Sequence, residues 1–98
     1  MNFELMQSKC EEVSGMMKAI AHPQRLLLMC HLSEGEKSVS ELLELCHISQ
    51  SQLSQFLTRM HREKLLNVRR EGGFAYYSIA DKNMTKLIQS MHKIFCKN

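Results

Sequence analysis

The sequence predicts a winged helix-turn-helix, a mainly α fold with a small β-hairpin wing (α+β), formed as a single domain over residues 1–98. Two short amphipathic helices separated by a tight turn are followed directly by two short strands with a glycine pair between them. A longer amphipathic helix flanks this unit at each end. At 98 residues with 44% apolar content, the chain has room for one core.

An apolar stripe at helical spacing marks the first helix. Its members are Phe3, Met6, Cys10, Val13, Met17 and Ile20. Pro23 suits the first turn of a second helix, which continues through the apolar run Leu26–Cys30 and stops at Gly35. Because that run is far shorter than the roughly 20 apolar residues that span a bilayer, we expect no contact with a membrane.

The helix pair begins after a short extended piece, Lys37–Val39, where we expect Ser40 to cap a helix that ends at Cys46. Ser49 is expected to cap the next helix, from Gln50 to about Lys64. The apolar face of this next helix comprises Leu53, Phe56, Leu57 and Met60. The opposite face is polar and hydrogen-bonding, and comprises Ser51, Ser54, Gln55, Thr58 and Arg62.

The segments Leu66–Arg70 and Phe74–Ile79 predict two strands. They are joined through Glu71–Gly73, where glycine provides the positive φ that a tight hairpin turn needs. The stretch Asp81–Phe95 predicts a second long amphipathic helix. Its apolar residues are Met84, Leu87, Ile88, Met91, Ile94 and Phe95.

The charge of the chain is unevenly distributed, although the net charge is only +3. Residues 1–48 contain four Lys or Arg and seven Glu, whereas residues 49–98 contain nine Lys or Arg and three acidic residues. Five cations fall between positions 59 and 70, namely Arg59, Arg62, Lys64, Arg69 and Arg70. Such a cluster indicates either an electropositive surface facing a polyanion or a solvated face.

A helix-turn-helix followed by a basic hairpin is typical of proteins that bind double-stranded DNA. The second helix of the pair enters the major groove and the hairpin lies along phosphates. Glutamine, serine and threonine exchange hydrogen bonds with base edges, while arginine and lysine neutralise phosphates. The predicted DNA-binding residues are Gln50, Ser51, Ser54, Gln55, Thr58, Arg62, Lys64, Arg69 and Arg70.

The first and last helices each have an apolar stripe that needs a partner. If the partner is a second copy, the homodimer presents two recognition helices to a pseudo-palindromic operator. The predicted dimer interface comprises Phe3, Met6, Cys10, Val13, Met84, Leu87, Ile88 and Met91. The alternative, in which the two helices pack only on each other within one subunit, stays open from the sequence.

Four segments, AIAHPQRLLLMCHL, GEKSVSEL, SQSQLSQFLTRM and RREGGFAYYSIAD, carry a resemblance to a known family. Together with the order of elements, they resemble the ArsR/SmtB family of dimeric winged-helix repressors over nearly the whole chain. The resemblance implies a DNA-binding repressor that leaves its operator when an inducer binds. Many inducers in this family are metal ions.

The sequence departs from both common metal-binding patterns of that family. Where arsenic- and lead-type members have Cys-Val-Cys, this chain has Ser38–Ser40, which lacks the soft thiolate ligands. In the zinc-type pattern Asp81 is retained, but the other matching positions hold Asn83, Ile94 and Lys97. One carboxylate does not hold a zinc ion. The five histidines show no compact ligand spacing, so we expect no metal and no cofactor.

Within the family, the chain resembles the thiol-based branch, whose sensing cysteines lie in the second helix and near the end of the last helix. These positions correspond to Cys30 and Cys96. The resemblance implies that reactive sulfur species such as persulfides, or oxidants, link the two thiols within a subunit, and that the linked protein releases DNA. Cys10 and Cys46 are left without an assigned role.

Two other functions stay open from the sequence. One is a metal-responsive repressor of the same fold with an atypical site, and the other is an anti-silencing DNA-binding protein that needs no inducer. No catalytic constellation is evident, so we do not expect an enzyme. The N-terminal stretch contains glutamates and no long apolar segment where a secretory signal would lie. We therefore expect a cytoplasmic protein with reduced thiols.

Overall fold

The computed structural model describes residues 1–96, which form five helices and three strands. In chain order these are α1 (Phe3–Ala19), α2 (Pro23–Leu32), β1 (Lys37–Ser38), α3 (Val39–Leu45), α4 (Gln50–Arg62), β2 (Leu66–Glu71), β3 (Phe74–Ile79) and α5 (Lys82–Phe95). The predicted winged helix-turn-helix is confirmed: α3 and α4 are the helix pair, and β2 and β3 form the wing. Within residues 1–96, no helix has both the length and the apolar character needed to cross a membrane.

The start of α3 shows that the predicted cap at Ser40 is wrong. The cap is Ser38, whose Oγ accepts a hydrogen bond from Glu41 N at 3.1 Å and whose N donates to Glu41 Oε1 at 3.0 Å. This reciprocal capping box needs an acidic or amide side chain three residues after the serine. Ser38 has one, whereas Ser40 is followed three residues later by Leu43. The bond from the Ser38 N–H lowers the pKa of the Glu41 carboxyl.

The end of α4 lies at Arg62, slightly before the predicted end near Lys64. Lys64 has a left-handed backbone with a φ of 65°. Its N donates to His61 O at 3.0 Å, and the next residue, Leu65, donates from N to Met60 O at 2.9 Å. These two bonds form a Schellman motif, which stops the helix and directs the chain into β2.

The three strands form an antiparallel sheet in the order β1-β3-β2. Glu71 pairs with Phe74 at the tip of the wing, one residue beyond the predicted end of the first strand. Gly72 and Gly73 connect the two strands at φ values of 55° and 83°. These are the positive φ values that a tight two-residue hairpin turn requires, as the sequence predicted.

One hydrophobic core lies among α2, α3, α4, α5 and the sheet. Its buried members are Ile20, Leu28, Met29, Leu32, Leu42, Cys46, Leu53, Leu57, Met60, Leu66, Tyr77, Met84 and Ile88. Met84 and Ile88, which the sequence assigned to the dimer interface, are 2% and 1% exposed within this core. Because both side chains pack inside the protomer, almost none of their surface is available to a second copy. Their assignment to the interface is corrected accordingly.

The first helix, α1, packs on the core along one side only. Within Phe3–Ala19 no residue is fully buried, although Met16 packs against the core. Phe3 and Met17, which belong to the predicted apolar stripe, are 75% and 54% exposed. Much of the apolar stripe of α1 therefore faces solvent in the isolated protomer.

Substitution of Leu42 tests the core assignment of α3. Leu42 is 0% exposed, whereas Leu45, on the same helix, is 43% exposed. We expect Leu42→Ala to lower the free energy of unfolding by about 2–5 kcal/mol, because the cavity it leaves is enclosed. Leu45→Ala is the matched control and should cost about 1 kcal/mol or less. Equal losses in urea denaturation would contradict this core.

Candidate nucleic-acid interface and thiol pair

The exposed side of α4 gathers the polar residues that the sequence assigned to DNA. Leu53, Leu57 and Met60 are 0%, 1% and 0% exposed, so the apolar side of α4 packs against the core. The exposed side is called the recognition face below. It comprises Gln50, Ser51, Ser54, Gln55, Thr58 and Arg62, all exposed. The recognition face therefore offers the amide, hydroxyl and guanidinium groups that hydrogen-bond to base edges and phosphates.

A second capping box fixes the first turn of α4. Ser49 Oγ accepts a hydrogen bond from Gln52 N at 3.1 Å, and Ser49 N donates to Gln52 Oε1 at 3.1 Å. The predicted cap at Ser49 is confirmed. Because these bonds satisfy backbone groups at the start of the helix, the turn that leads into the recognition face has a defined conformation.

Arg69 on β2, predicted to contact phosphate, is held by groups of the protein itself. Its Nη2 donates to Glu36 Oε1 at 2.8 Å, its Nε donates to Glu36 Oε2 at 3.1 Å, and its Nη1 donates to Glu71. The guanidinium also lies 4.5 Å from the ring centroid of Tyr76. The two carboxylates raise the pKa of Arg69, and Arg69 lowers the pKa of Glu36. Arg69 thus joins the wing to the segment before β1.

Two basic residues near Arg69 remain available to phosphates. Arg70 and Lys64 are exposed, and neither forms an ion pair with another part of residues 1–96. Lys64 follows α4 directly, and Arg70 lies close to the tip of the wing. Together with Arg62 of the recognition face, they provide positive charge at the end of α4 and on the wing that no ion pair within residues 1–96 neutralises.

The end of α4 is fixed by an ion pair that the sequence did not predict. Arg25 of α2 donates to both carboxylate oxygens of Glu63 at 3.0 Å, and it also donates to the carbonyl of Ala19 at 3.0 Å. This pairing lowers the pKa of Glu63. The two partners lie 38 positions apart, so no local pattern could pair them. The bridge connects the end of α4 to the first turn of α2, and the bond to Ala19 connects it to the end of α1.

Cys30 lies on α2, which packs against α5, and Cys96 is the residue that ends α5. Cys30 is partly buried against the core, whereas Cys96 is the exposed residue that caps the end of α5. Burial raises the pKa of the Cys30 thiol, and the nearby Cys96 raises it further. Both thiols are free. In the same contact, Gln89 Nε2 of α5 donates to Ser33 O at 3.4 Å.

The other two cysteines lie in different surroundings. Cys46 is 3% exposed in the core, and burial raises its pKa. Cys10 is exposed on α1. In the part of the chain that the structure describes, no three His, Cys, Asp or Glu side chains are grouped closely enough to hold a metal ion. Lys97, one of the positions compared with zinc ligands, lies outside the described residues.

Known proteins with similar sequences and structures share one family. Residues 22–68 match the family model described as bacterial regulatory protein, arsR family. The biofilm growth-associated repressor of Agrobacterium fabrum is 37% identical over 93% of this chain and 78% of its own length. The transcriptional activator HlyU of Vibrio cholerae is 32% identical over 99% of this chain and 90% of its own. The crystal structure of the transcriptional repressor BigR from Xylella fastidiosa matches with a TM-score of 0.90 at 34% identity, covering 100% of both chains.

The chain belongs to the ArsR family. As an ArsR-family member it is a DNA-binding transcriptional regulator, and the expectation that it is not an enzyme is confirmed. The named relatives include both repressors and an activator. Membership of the family therefore establishes that the protein regulates transcription.

Substitution of the adjacent residues Arg69 and Arg70 tests whether only Arg70 contacts phosphate while Arg69 supports the wing. We expect Arg70→Ala to weaken binding to a short mixed-sequence duplex. The slope of log Kd against log salt should fall by about 0.9 for each phosphate that the variant no longer neutralises. Arg69→Ala, made together with Glu36→Gln and Glu71→Gln so that neither carboxylate is left without its partner, should leave that slope unchanged. Fluorescence anisotropy over a series of salt concentrations measures both. A lower slope for the Arg69 variant would show that Arg69 contacts phosphate.

Proposed function

We propose that this protein is a homodimeric repressor that binds operator DNA and releases it when reactive sulfur species or oxidants join Cys30 to Cys96. One observation carries the proposal: Cys30 lies on α2, which packs against α5, and Cys96 ends α5 near enough to raise the pKa of the Cys30 thiol. The packing of α2 against α5 connects a core helix to the helix that follows the wing.

Binding of double-stranded DNA is supported by the recognition face and the wing. In a winged helix the second helix of the pair enters the major groove, and the hairpin follows the phosphates. Gln50, Ser51, Ser54, Gln55 and Thr58 are the proposed contacts to base edges. Arg62, Lys64 and Arg70 are the proposed contacts to phosphates. Arg69 acts on the DNA indirectly, by positioning the wing.

The homodimer is supported by apolar surface on α1 and α5. Phe3 and Phe95 are 75% and 82% exposed. A groove of about 600 Å³ also runs between the two helices and is lined by Met6, Val13 and Leu87 among others. Contiguous apolar surface of this kind marks an interaction site. Of the predicted interface, the residues that keep accessible surface are Phe3, Met6, Cys10, Val13, Leu87 and Met91. A second copy covering them would present two recognition helices roughly 34 Å apart to a pseudo-palindromic site.

The exposed Cys96 is proposed to react first with the inducer. Its thiolate attacks the sulfane sulfur of a persulfide or polysulfide, which forms a persulfide on Cys96 and releases the thiolate or shortened polysulfide of the donor. The thiolate of Cys30 then attacks Sγ of Cys96 in this persulfide, which forms the bond between the two Sγ atoms, breaks the bond to the outer sulfur and expels that sulfur as hydrosulfide. The two thiols lose two electrons and two protons, and the sulfur donor is reduced. Each extra sulfur kept in the bridge adds about 2 Å of reach.

A bond between Cys30 and Cys96 would couple the thiols to DNA through helix positions. The second helix, α2, contributes Leu28 and Met29 to the core that also holds α4, and α5 belongs to the proposed dimer surface. Tying α5 to α2 changes the angle between two copies, so that their recognition helices no longer match successive major grooves. In the reducing cytoplasm, to which we assign the protein, the thiols stay free until the inducer is present.

Introduction of a charge on α1 tests the homodimer. Met6 is 39% exposed within the proposed interface, and Met6→Glu should produce monomers because it buries an unpaired carboxylate between copies. Ser8→Glu is the matched control, since two residues turn a helix by about 200° and carry the new charge away from the interface. Sedimentation velocity measures the mass of each variant. Monomeric wild-type protein would contradict the homodimer.

Serine substitutions test the thiol switch. Polysulfide should change the mass of wild-type protein by the loss of two hydrogens or by a gain of bridging sulfur, and should lower its affinity for DNA. Cys30→Ser should accumulate a persulfide on Cys96 and keep its affinity, because the thiol that closes the bridge is missing. Cys96→Ser should react more slowly and also keep its affinity. Intact-mass spectrometry and anisotropy on the same samples measure these outcomes.

Cys10→Ser is the control for the thiol variants. Cys10 is exposed on α1 and lies outside the contact between α2 and α5, so this variant should respond to polysulfide as the wild type does. If Cys30→Ser or Cys96→Ser releases DNA normally after treatment, the proposed switch is wrong. That result would contradict the thiol switch only, and the proposal that the reduced protein binds DNA would still stand.

A further inference from the structure

A groove lies between α4 and the turn that joins α1 to α2, beside the recognition face. It has a volume of about 770 Å³ and is open to solvent. Lys18 and His22 line one wall, while Phe56, Arg59 and Arg62 line the other. We infer that this basic groove binds the phosphate backbone of duplex DNA, as a third contact region in addition to the recognition face and the wing. The inference rests on the proposed binding of operator DNA and is independent of the thiol switch.

The charge of the basic groove favours a polyanion. In residues 1–96 its lining includes four cations and no acidic side chain. Arg25 is balanced by Glu63, which lies just outside the lining. Lys18, Arg59 and Arg62 form no ion pair with the rest of the described chain. Glu63 also feels the charges of Arg59 and Arg62, but this single carboxylate is paired with Arg25, so four cations facing one carboxylate leave an excess of positive charge that attracts a phosphate backbone.

The two walls of the basic groove are joined by contacts within the protein. The bridge from Arg25 to Glu63 connects α2 to the end of α4. The ring of His22 packs on the ring of Phe56 with centroids 5.2 Å apart, which connects the α1–α2 turn to the middle of α4. These contacts fix the α1–α2 turn against α4. The backbone of Lys18, which lies in the last turn of α1, therefore has a defined position relative to α4. A preformed surface loses less conformational freedom when it binds.

The basic groove is continuous with the recognition face. Ser54, Gln55 and Thr58 line the groove and also belong to the recognition face. The major groove of a duplex is about 12 Å wide and is bordered by both phosphate backbones. A duplex that receives α4 therefore brings one backbone alongside the basic groove. Lys18 and Arg59 are the residues positioned to meet it; Arg59 belongs to the basic cluster seen in the sequence, but neither residue is in the predicted set of DNA-binding residues.

Lys18→Ala and Arg59→Ala, alone and combined, test this inference. The probes are a mixed-sequence duplex and a duplex selected with wild-type protein from a random pool. For each variant, we expect Kd to rise by the same factor for the two duplexes, because a contact to phosphate does not depend on base sequence. The slope of log Kd against log salt should fall by about 0.9 for each phosphate left without its cation. Lys93→Ala is the matched control, because it removes an exposed cation from α5, and it should change neither quantity.

The outcomes distinguish the basic groove from the wider proposal. An unchanged salt slope in the combined Lys18→Ala and Arg59→Ala variant, with thermal unfolding like that of the wild type, would overturn the inference even if Arg70→Ala binds more weakly. Saturable NMR shifts of His22 with inorganic phosphate, together with an unchanged slope for DNA, would assign the groove to a free anion and also overturn it. Failure of the wild type to bind either duplex would overturn the proposed function as well.

Discussion

The orientation of α4 about its own axis is the constraint on which the DNA-facing surface depends. Leu53, Leu57 and Met60 are 0%, 1% and 0% exposed. Burial of each side chain contributes about 1.5–3 kcal/mol. Rotation of the helix would expose these three side chains to water and lose that free energy. It would gain little in return, because Gln55 and Thr58 already form hydrogen bonds with water on the exposed side. The core therefore determines which side chains face outward, and the helical period places the polar residues together on the opposite side.

Side-chain bridges fix the parts of the interface that the core does not hold. Arg25 and Glu63 connect the start of α2 to the end of α4, and Arg69 and Glu36 connect the wing to the segment before β1. Exposed ion pairs contribute about 0–1 kcal/mol each, so their main effect is on geometry. They hold the recognition face, the wing and the basic groove in one arrangement before DNA binds. Less conformational freedom then has to be lost on binding.

The elements were predictable because their signals are local, as in the cap that Ser49 forms with Gln52 three residues later. Contacts between distant segments were not. Arg69 and Arg70 are equivalent as sequence, but strand alternation sends them to opposite sides, and Arg69 is the one that meets Glu36. Likewise, the apolar spacing of α5 identifies its apolar face but not the surface that packs against it. Met84 and Ile88 of that face are buried in the core of the protomer. The proposed thiol pair rests on resemblance to a family, because Cys30 and Cys96 lie 66 positions apart and no local pattern connects them.

NMR of the reduced protein with and without a duplex tests the central claim that α4 and the wing together form the DNA-binding surface. The side-chain amides of Gln50 and Gln55 report on the recognition face, and the backbone amides of Gly72 and Gly73 report on the tip of the wing. We expect these resonances to shift most when DNA is added. Unchanged resonances at these four residues, with the largest shifts on α3 or α5, would contradict the claim.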